Sequence, residues 1–183
     1  MKNNTRGFTL LLAAIVSSIV LSLGAAIYEI ASKQIALSSL GRDSQLAFFA
    51  ADTGAECALF WDVRFGYFAT VAPATVVAPN PQCDGSPLTV SGRPASAPYY
   101  DAITHMYQMT FTFAPGASAT VPGGYCTDVF VTKCNGSFAV DGSCTLGDPA
   151  QVSTRIHSDA LSTDCATRLT NSHALQRSVE LHY

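Results

Sequence analysis

Residues 8–28 read FTLLLAAIVSSIVLSLGAAIY, and no charge occurs until Glu29. That run restricts the fold more than any other feature of the chain. A helix crossing the hydrocarbon core of a bilayer needs about 20 mainly apolar residues, and Phe8 to Tyr28 supplies 21. The chain opens on MKNNTRG, which is polar and basic. Lys2 and Arg6 would hold the N-terminus in the cytoplasm and send everything after Glu29 outward. A cleaved secretory signal has a shorter apolar stretch, about 7–15 residues, ending at a small-residue cleavage site. Here the run is longer, and LGAAIY imitates such a site poorly. The expectation is a helix that stays on the mature protein.

All six cysteines, Cys57, Cys83, Cys126, Cys134, Cys144 and Cys165, follow the run. An even count on the outward side suits an exported, oxidised domain stapled by disulfides. Zinc competes poorly, because neither a C-x-x-C nor a Cys/His cluster at ligand spacing occurs. Six cysteines allow 15 pairings. If sequence neighbours meet first in a meander, the pairs are Cys57–Cys83, Cys126–Cys134 and Cys144–Cys165. The 183 residues hold one domain plus an anchor. A formal net charge of -3 argues against a general nucleic-acid binder, whose phosphate contacts need a basic surface.

Helical character continues past the run, with no proline from Met1 to Ala72. In SSLGRDSQLAFFAADTGAECALFWD (38–62), Leu46, Phe49, Ala50, Cys57 and Phe60 share one face at helical spacing, with Trp61 at its edge. Asp43 and Asp52 project elsewhere. An amphipathic helix over 29–62 is predicted, with that stripe packed on a globular head and an end between Asp62 and Gly66. Gly41 and Gly54 each weaken it by about 1 kcal/mol relative to Ala. Residues 63–98 hold most of the prolines and read as an irregular connector, with a short strand at Leu88 to Ser91.

From Tyr99 the period changes to two. ITHMYQMTFTF (103–113) puts Tyr107, Met109, Phe111 and Phe113 on one face of a strand. YCTDVFVTK (125–133) alternates Tyr125, Thr127, Val129 and Val131 against Cys126, Asp128 and Phe130. QVSTRIHSDAL (151–161) is a third strand, and LQRSVELHY (175–183) a fourth, with Val179, Leu181 and Tyr183 on one side. The segments 114–124, 134–149 and 162–174 read as loops. Four strands joined by hairpin-length links favour an antiparallel sheet. The fold class is therefore α+β, a long N-terminal helix packed on a four-stranded antiparallel sheet. Phe49, Phe60, Trp61, Tyr107, Met109, Phe111, Val129, Val131, Ile156, Val179 and Leu181 are the expected core.

Motifs for chemistry are scarce. His105, His157, His173 and His182 show no metal spacing such as H-E-x-x-H, and no nucleophile elbow, P-loop or dinucleotide fingerprint occurs. No catalytic residue and no cofactor are expected. The nearest approach to a cation site is DGSCTLGD (141–148), where Asp141 and Asp148 supply oxygens as calcium requires. Its spacing departs from an EF-hand, and an ordinary Gly-Asp turn is the simpler reading.

The junction Arg6-Gly7-Phe8-Thr9-Leu10 resembles the class III leader of type IV prepilins. The resemblance implies cleavage after Gly7 by a prepilin peptidase and N-methylation of Phe8. It also implies a helix that first sits in the cytoplasmic membrane and later packs against other pilin subunits in a filament. Major pilins carry a glutamate at the fifth mature position, where this chain has Leu12. Its absence is similar to certain minor pilins and to the tip pseudopilins of type II secretion. A second match follows in GRDSQLAFFAAD (41–52), where Arg42, Asp43, Gln45, Leu46, Ala47, Ala50, Ala51 and Asp52 resemble the N-terminal segment of PilX-like minor pilins. Together the matches cover residues 1–62, about a third of the chain. They imply a leader over 1–7, a membrane and filament-core helix over 8–28 and an amphipathic helix over 29–62; the prolines and the period of two add a connector over 63–98 and an antiparallel head over 99–183. The implied function is a structural subunit that primes or caps a filament, first in the membrane and then outside it. An anchored, exported binding module that is never assembled is the rival expectation.

Overall fold

The computed structural model describes residues 5–68, 70, 81–87, 99–101, 103–115, 124–147, 151–172 and 174–183. The chain divides into two compact units, Met1–Arg42 and Asp43–Tyr183. One helix, α1 (Thr5–Phe65), runs through the first unit and into the second. Among the described residues it makes up the whole of the first unit. It closes at Gly66, whose left-handed backbone (φ +58°) lets its N–H reach the Asp62 carbonyl at 2.8 Å while Tyr67 N–H reaches Trp61 at 3.1 Å. A glycine without a Cβ turns this corner without steric cost.

In the second unit, α1 residues 43–65 pack on an antiparallel sheet. A small hairpin of β1 (Gln82–Cys83) and β2 (Ser86–Pro87) forms a separate two-stranded sheet, with Cys83 buried in the core. The main sheet comprises β3 (Tyr99–Asp101), β4 (Met106–Phe113), β5 (Cys126–Phe138), β6 (Cys144–Leu146), β7 (Val152–Leu161) and β8 (Gln176–His182). Its order is β3-β4-β5-β7-β8, with β6 added to the far end of β5. Phe111 faces Val129, Val131 faces Ile156 and Ser158 faces Val179. The period-two readings hold: Met109, Phe111, Phe113, Val129, Val131 and Ile156 are buried beneath α1 with Trp61 and Phe68. Val179 and Leu181 pack against the same cluster, partly buried. Phe68 stacks on Phe111 with ring centroids 6.0 Å apart.

Three expectations are corrected. The predicted helix stripe is displaced: Phe49 is 61% exposed and Phe60 54%, and Leu46 is exposed too. The buried face is Ala47, Ala50, Ala51, Ala55, Ala58, Trp61 and Asp62, with Gly54 at its centre. Small side chains let the helix backbone approach the sheet closely. A Cβ on Gly54 would lie 2.5 Å from Ser158 Oγ, 2.7 Å from Thr127 Cγ2 and 2.9 Å from Val129 Cγ2. Gly54 is thus required by contact, whereas nothing stands near Gly41.

Second, the loop expected over 134–149 contains ordered strand. β5 continues through Cys134 to Phe138, and Gly136, Ser137 and Phe138 pair with Leu146, Thr145 and Cys144 of β6. CNGSF has no apolar alternation, so the ladder here is held by backbone bonds and a disulfide. Gly136 (φ +147°) presses on the Thr145 carbonyl where a Cβ would collide. The strand expected from 103 begins instead at Met106, after a turn in which the Asp101 carboxylate accepts from Ile103 N–H at 2.9 Å and Thr104 Oγ1 at 2.9 Å. The expected strand at 88–91 lies outside the described residues.

Third, the disulfides are Cys57–Cys83, Cys126–Cys165 and Cys134–Cys144. The first agrees with expectation and the other two do not. Cys126 and Cys134 occupy the same strand, separated by about 26 Å at the rise of an extended chain. No disulfide spans that distance. Each instead staples its own end of β5 to the segment lying beside it.

Candidate functional site

The first unit contains Gly7, Phe8 and Leu12, the residues singled out by the sequence resemblance. Gly7, Phe8 and Leu12 all lie within α1, so the helix runs unbroken across the Gly7–Phe8 bond. Phe8 and Leu12 are exposed, as are Ile15, Val20, Leu23 and Ile27 around the cylinder. By length and composition this helix is able to cross a membrane. Two of its hydroxyls are satisfied internally: Ser18 Oγ donates to the Ile15 carbonyl at 2.8 Å and Ser22 Oγ to the Ile19 carbonyl at 2.9 Å. Such self-bonding lowers the polar cost of placing these two serines in hydrocarbon. In water, each exposed Leu, Ile or Val forgoes about 1.5–3 kcal/mol of burial. The surface therefore calls for a lipid or protein cover.

In the second unit, two polar clusters stand out. Inside the head, Asp62 near the end of α1 takes Lys133 Nζ of β5 at 2.7 Å and the Tyr183 hydroxyl at 2.5 Å on the same oxygen. Its other oxygen is buried without a hydrogen-bond partner among the described residues. Burial, and then the bond to Asp62, push the Tyr183 phenol well above its ordinary value. The cluster ties α1, β5 and the last residue of the sequence together.

On the outer face, His157 Nδ1 lies 3.0 Å from Glu180 and His157 Nε2 lies 3.1 Å from Asp159. His182 Nε2 is 2.6 Å from Glu180. The bond from His182, with a second from His157, holds the Glu180 carboxyl below its ordinary range. Ser178 Oγ bonds Asp159 and not an imidazole. A serine activated for attack needs the imidazole as its direct base. The hydroxyl here sits one link too far along the chain of bonds. Sequence spacing did not announce this grouping, because it joins neighbouring strands through register.

Asp141 closes its own turn, accepting from Ser143 Oγ at 2.6 Å and Ser143 N–H at 3.0 Å, and these bonds lower its carboxyl. Asp148 and His173 lie outside the described residues. Among the described residues, no three His, Cys, Asp or Glu side chains are grouped to hold a metal ion. No protein-family model, no curated protein and no solved structure matches this chain.

Proposed function

We propose that this chain is a minor pilin or pseudopilin, a structural subunit of a type IV pilus or type II secretion-like filament. A prepilin peptidase would cut after Gly7, and Phe8 would be N-methylated. The helix from Phe8 would hold the subunit in the cytoplasmic membrane with its N-terminus inside, and then pack against other subunits in an extracytoplasmic filament. The observation that carries this reading is the Arg6-Gly7-Phe8 junction joined without a break to an uncharged helical run. A head braced by three disulfides suits the oxidising side of the membrane. Leu12, in the place of the family glutamate, favours priming or capping over a place in the shaft. The work is assembly, without catalysis. Removal of Lys2 and Arg6 takes the formal charge from -3 to -5 (two cations lost).

The test is the N-terminal mass of the protein taken from its native membrane or from sheared surface material. A start at Phe8 carrying one added methyl supports the reading, and Gly7 substitution then blocks processing. A start at Met1 leaves an uncleaved anchor and supports the exported binding module instead. A start near Tyr28 makes the run a discarded signal peptide.

A further inference from the structure

Within the head, α1 turns one face to the sheet and the other to solvent. Ala47, Gly54 and Ala58 lie at the centre of the buried face. At 3.6 residues per turn, the opposite side carries Phe49, Asp52, Glu56, Phe60 and Val63. Phe49, Glu56 and Phe60 are exposed, Val63 is 70% exposed and Asp52 is partly so. These five recur at steps of three and four, the spacing of a seam between two helices. The stripe is apolar at both ends and acidic in the middle.

Its two carboxylates are free. Among the described residues, neither Asp52 nor Glu56 makes a hydrogen bond or an ion pair, whereas every other described carboxylate side chain from Asp43 onward has a bonding or electrostatic partner. No lysine or arginine stands three or four residues from either one. The nearest cation along the helix, Arg64, lies about two turns past Glu56. Like charges four residues apart on one helix repel each other. The head thus leaves a negative centre unbalanced between exposed aromatic rings, and only a positive partner would balance it.

We infer that this stripe docks a helix of another polypeptide that carries two lysines or arginines one turn apart between apolar residues. Phe49, Phe60 and Val63 supply the area to be buried, and large aromatic side chains are the usual anchors of such contacts. Asp52 and Glu56 choose the partner, as charges along a helix seam do. The stripe of a second copy is a poor occupant. Laid antiparallel it would set Asp52 against Glu56, and laid parallel in register it would set each carboxylate against its own kind. An anionic lipid surface would be repelled for the same reason. The inference rests on residues 49–63 and stands whether or not Gly7 is a cleavage site.

The experiment is fluorescence anisotropy on the full-length chain in nanodiscs of zwitterionic lipid, read against empty discs. The probe is a labelled synthetic helix of about four turns, with two lysines one turn apart at its centre and leucines toward both ends of the same face. A second probe carries glutamates in place of the lysines. The lysine helix is expected to bind saturably and the glutamate helix to remain free. Asp52→Asn combined with Glu56→Gln should weaken binding by about tenfold, and high salt should weaken it in the parent. Asp52→Lys combined with Glu56→Lys should reverse the preference, so that the glutamate helix binds. Neither position is buried, so the variants should keep the fold. The comparison of the two probes on the parent needs no variant at all. The inference is overturned if neither helix binds, if both bind alike or bind empty discs equally, if binding ignores the loss of both carboxylates, or if copies of the chain associate through Phe49 and Phe60.

Discussion

Gly54 is the residue on which the helix-to-sheet spacing depends. A helix interior ordinarily favours alanine over glycine by about 1 kcal/mol. Here an added methyl would meet Ser158, Thr127 and Val129 at separations below 3 Å. Overpacking of a tight core costs about 1–3 kcal/mol, so Gly54→Ala should lower stability in a denaturant melt, while Gly41→Ala should raise it or leave it unchanged. Asp62 supplies the second test at this scale. Asp62→Leu leaves the Lys133 ammonium buried without its carboxylate, a loss of about 3–5 kcal/mol. The pair Asp62→Leu with Lys133→Met should recover much of it. Tyr183 adds a pH dependence. Its folded-state value is raised from the ordinary 10.0, so its contribution is complete below that value and declines as pH rises through it. Tyr183→Phe should flatten stability above about pH 10. Glu180 works in the opposite direction. Its value is lowered from 4.5, so its contribution is present above 4.5 and fades as pH falls.

Among the elements, the disulfides divide the labour of bracing β5 and α1. Cys126–Cys165 closes a separation of 39 residues, Cys57–Cys83 one of 26 and Cys134–Cys144 one of 10. Chain entropy makes the widest loop the most stabilising, by about 1 kcal/mol over the narrowest. Double Cys→Ser variants at each bridge, compared by denaturant midpoint, should fall in that order. Strand positions and faces are legible because β4, β7 and β8 bury mainly one side, which writes a period of two into the residues; β5 keeps the same alternation of large apolar residues although Cys126, Thr132 and Cys134 are buried on its other side. The buried helix stripe is not legible in hydropathy, because its large apolar residues do not all point inward. Phe49 and Phe60 point out, and alanines fill the narrow space. The end of β5 was missed because CNGSF is held by main-chain bonds and a bridge, neither of which leaves a hydropathy pattern.

For the whole molecule, the division into Met1–Arg42 and Asp43–Tyr183 has an experimental counterpart. A chain beginning at Asp43 keeps every disulfide and every buried cluster of the head. It should melt with a stability within about 0.5 kcal/mol of the full chain, and it should no longer require detergent. Failure of the shortened chain to fold would mean that residues before Asp43 contribute to the head.

Local chemistry settled what depends on composition and period: one long helix near the N-terminus with an uncharged run over 8–28, an antiparallel sheet with known inward faces, and a disulfide-bonded head. These features repeat along the chain and can be read without knowing which segments meet. The partners of Cys126 and Cys134, the contact at Gly54, the Asp62–Lys133–Tyr183 cluster and the outward stripe of α1 depend on register and on distance through space. Side-chain bonds between α1 and the closing strand join residues as many as 133 positions apart. Only packing the helix on the sheet brings such residues within bonding distance, because a short-range pattern carries no information about which remote neighbour will fill the space beside it.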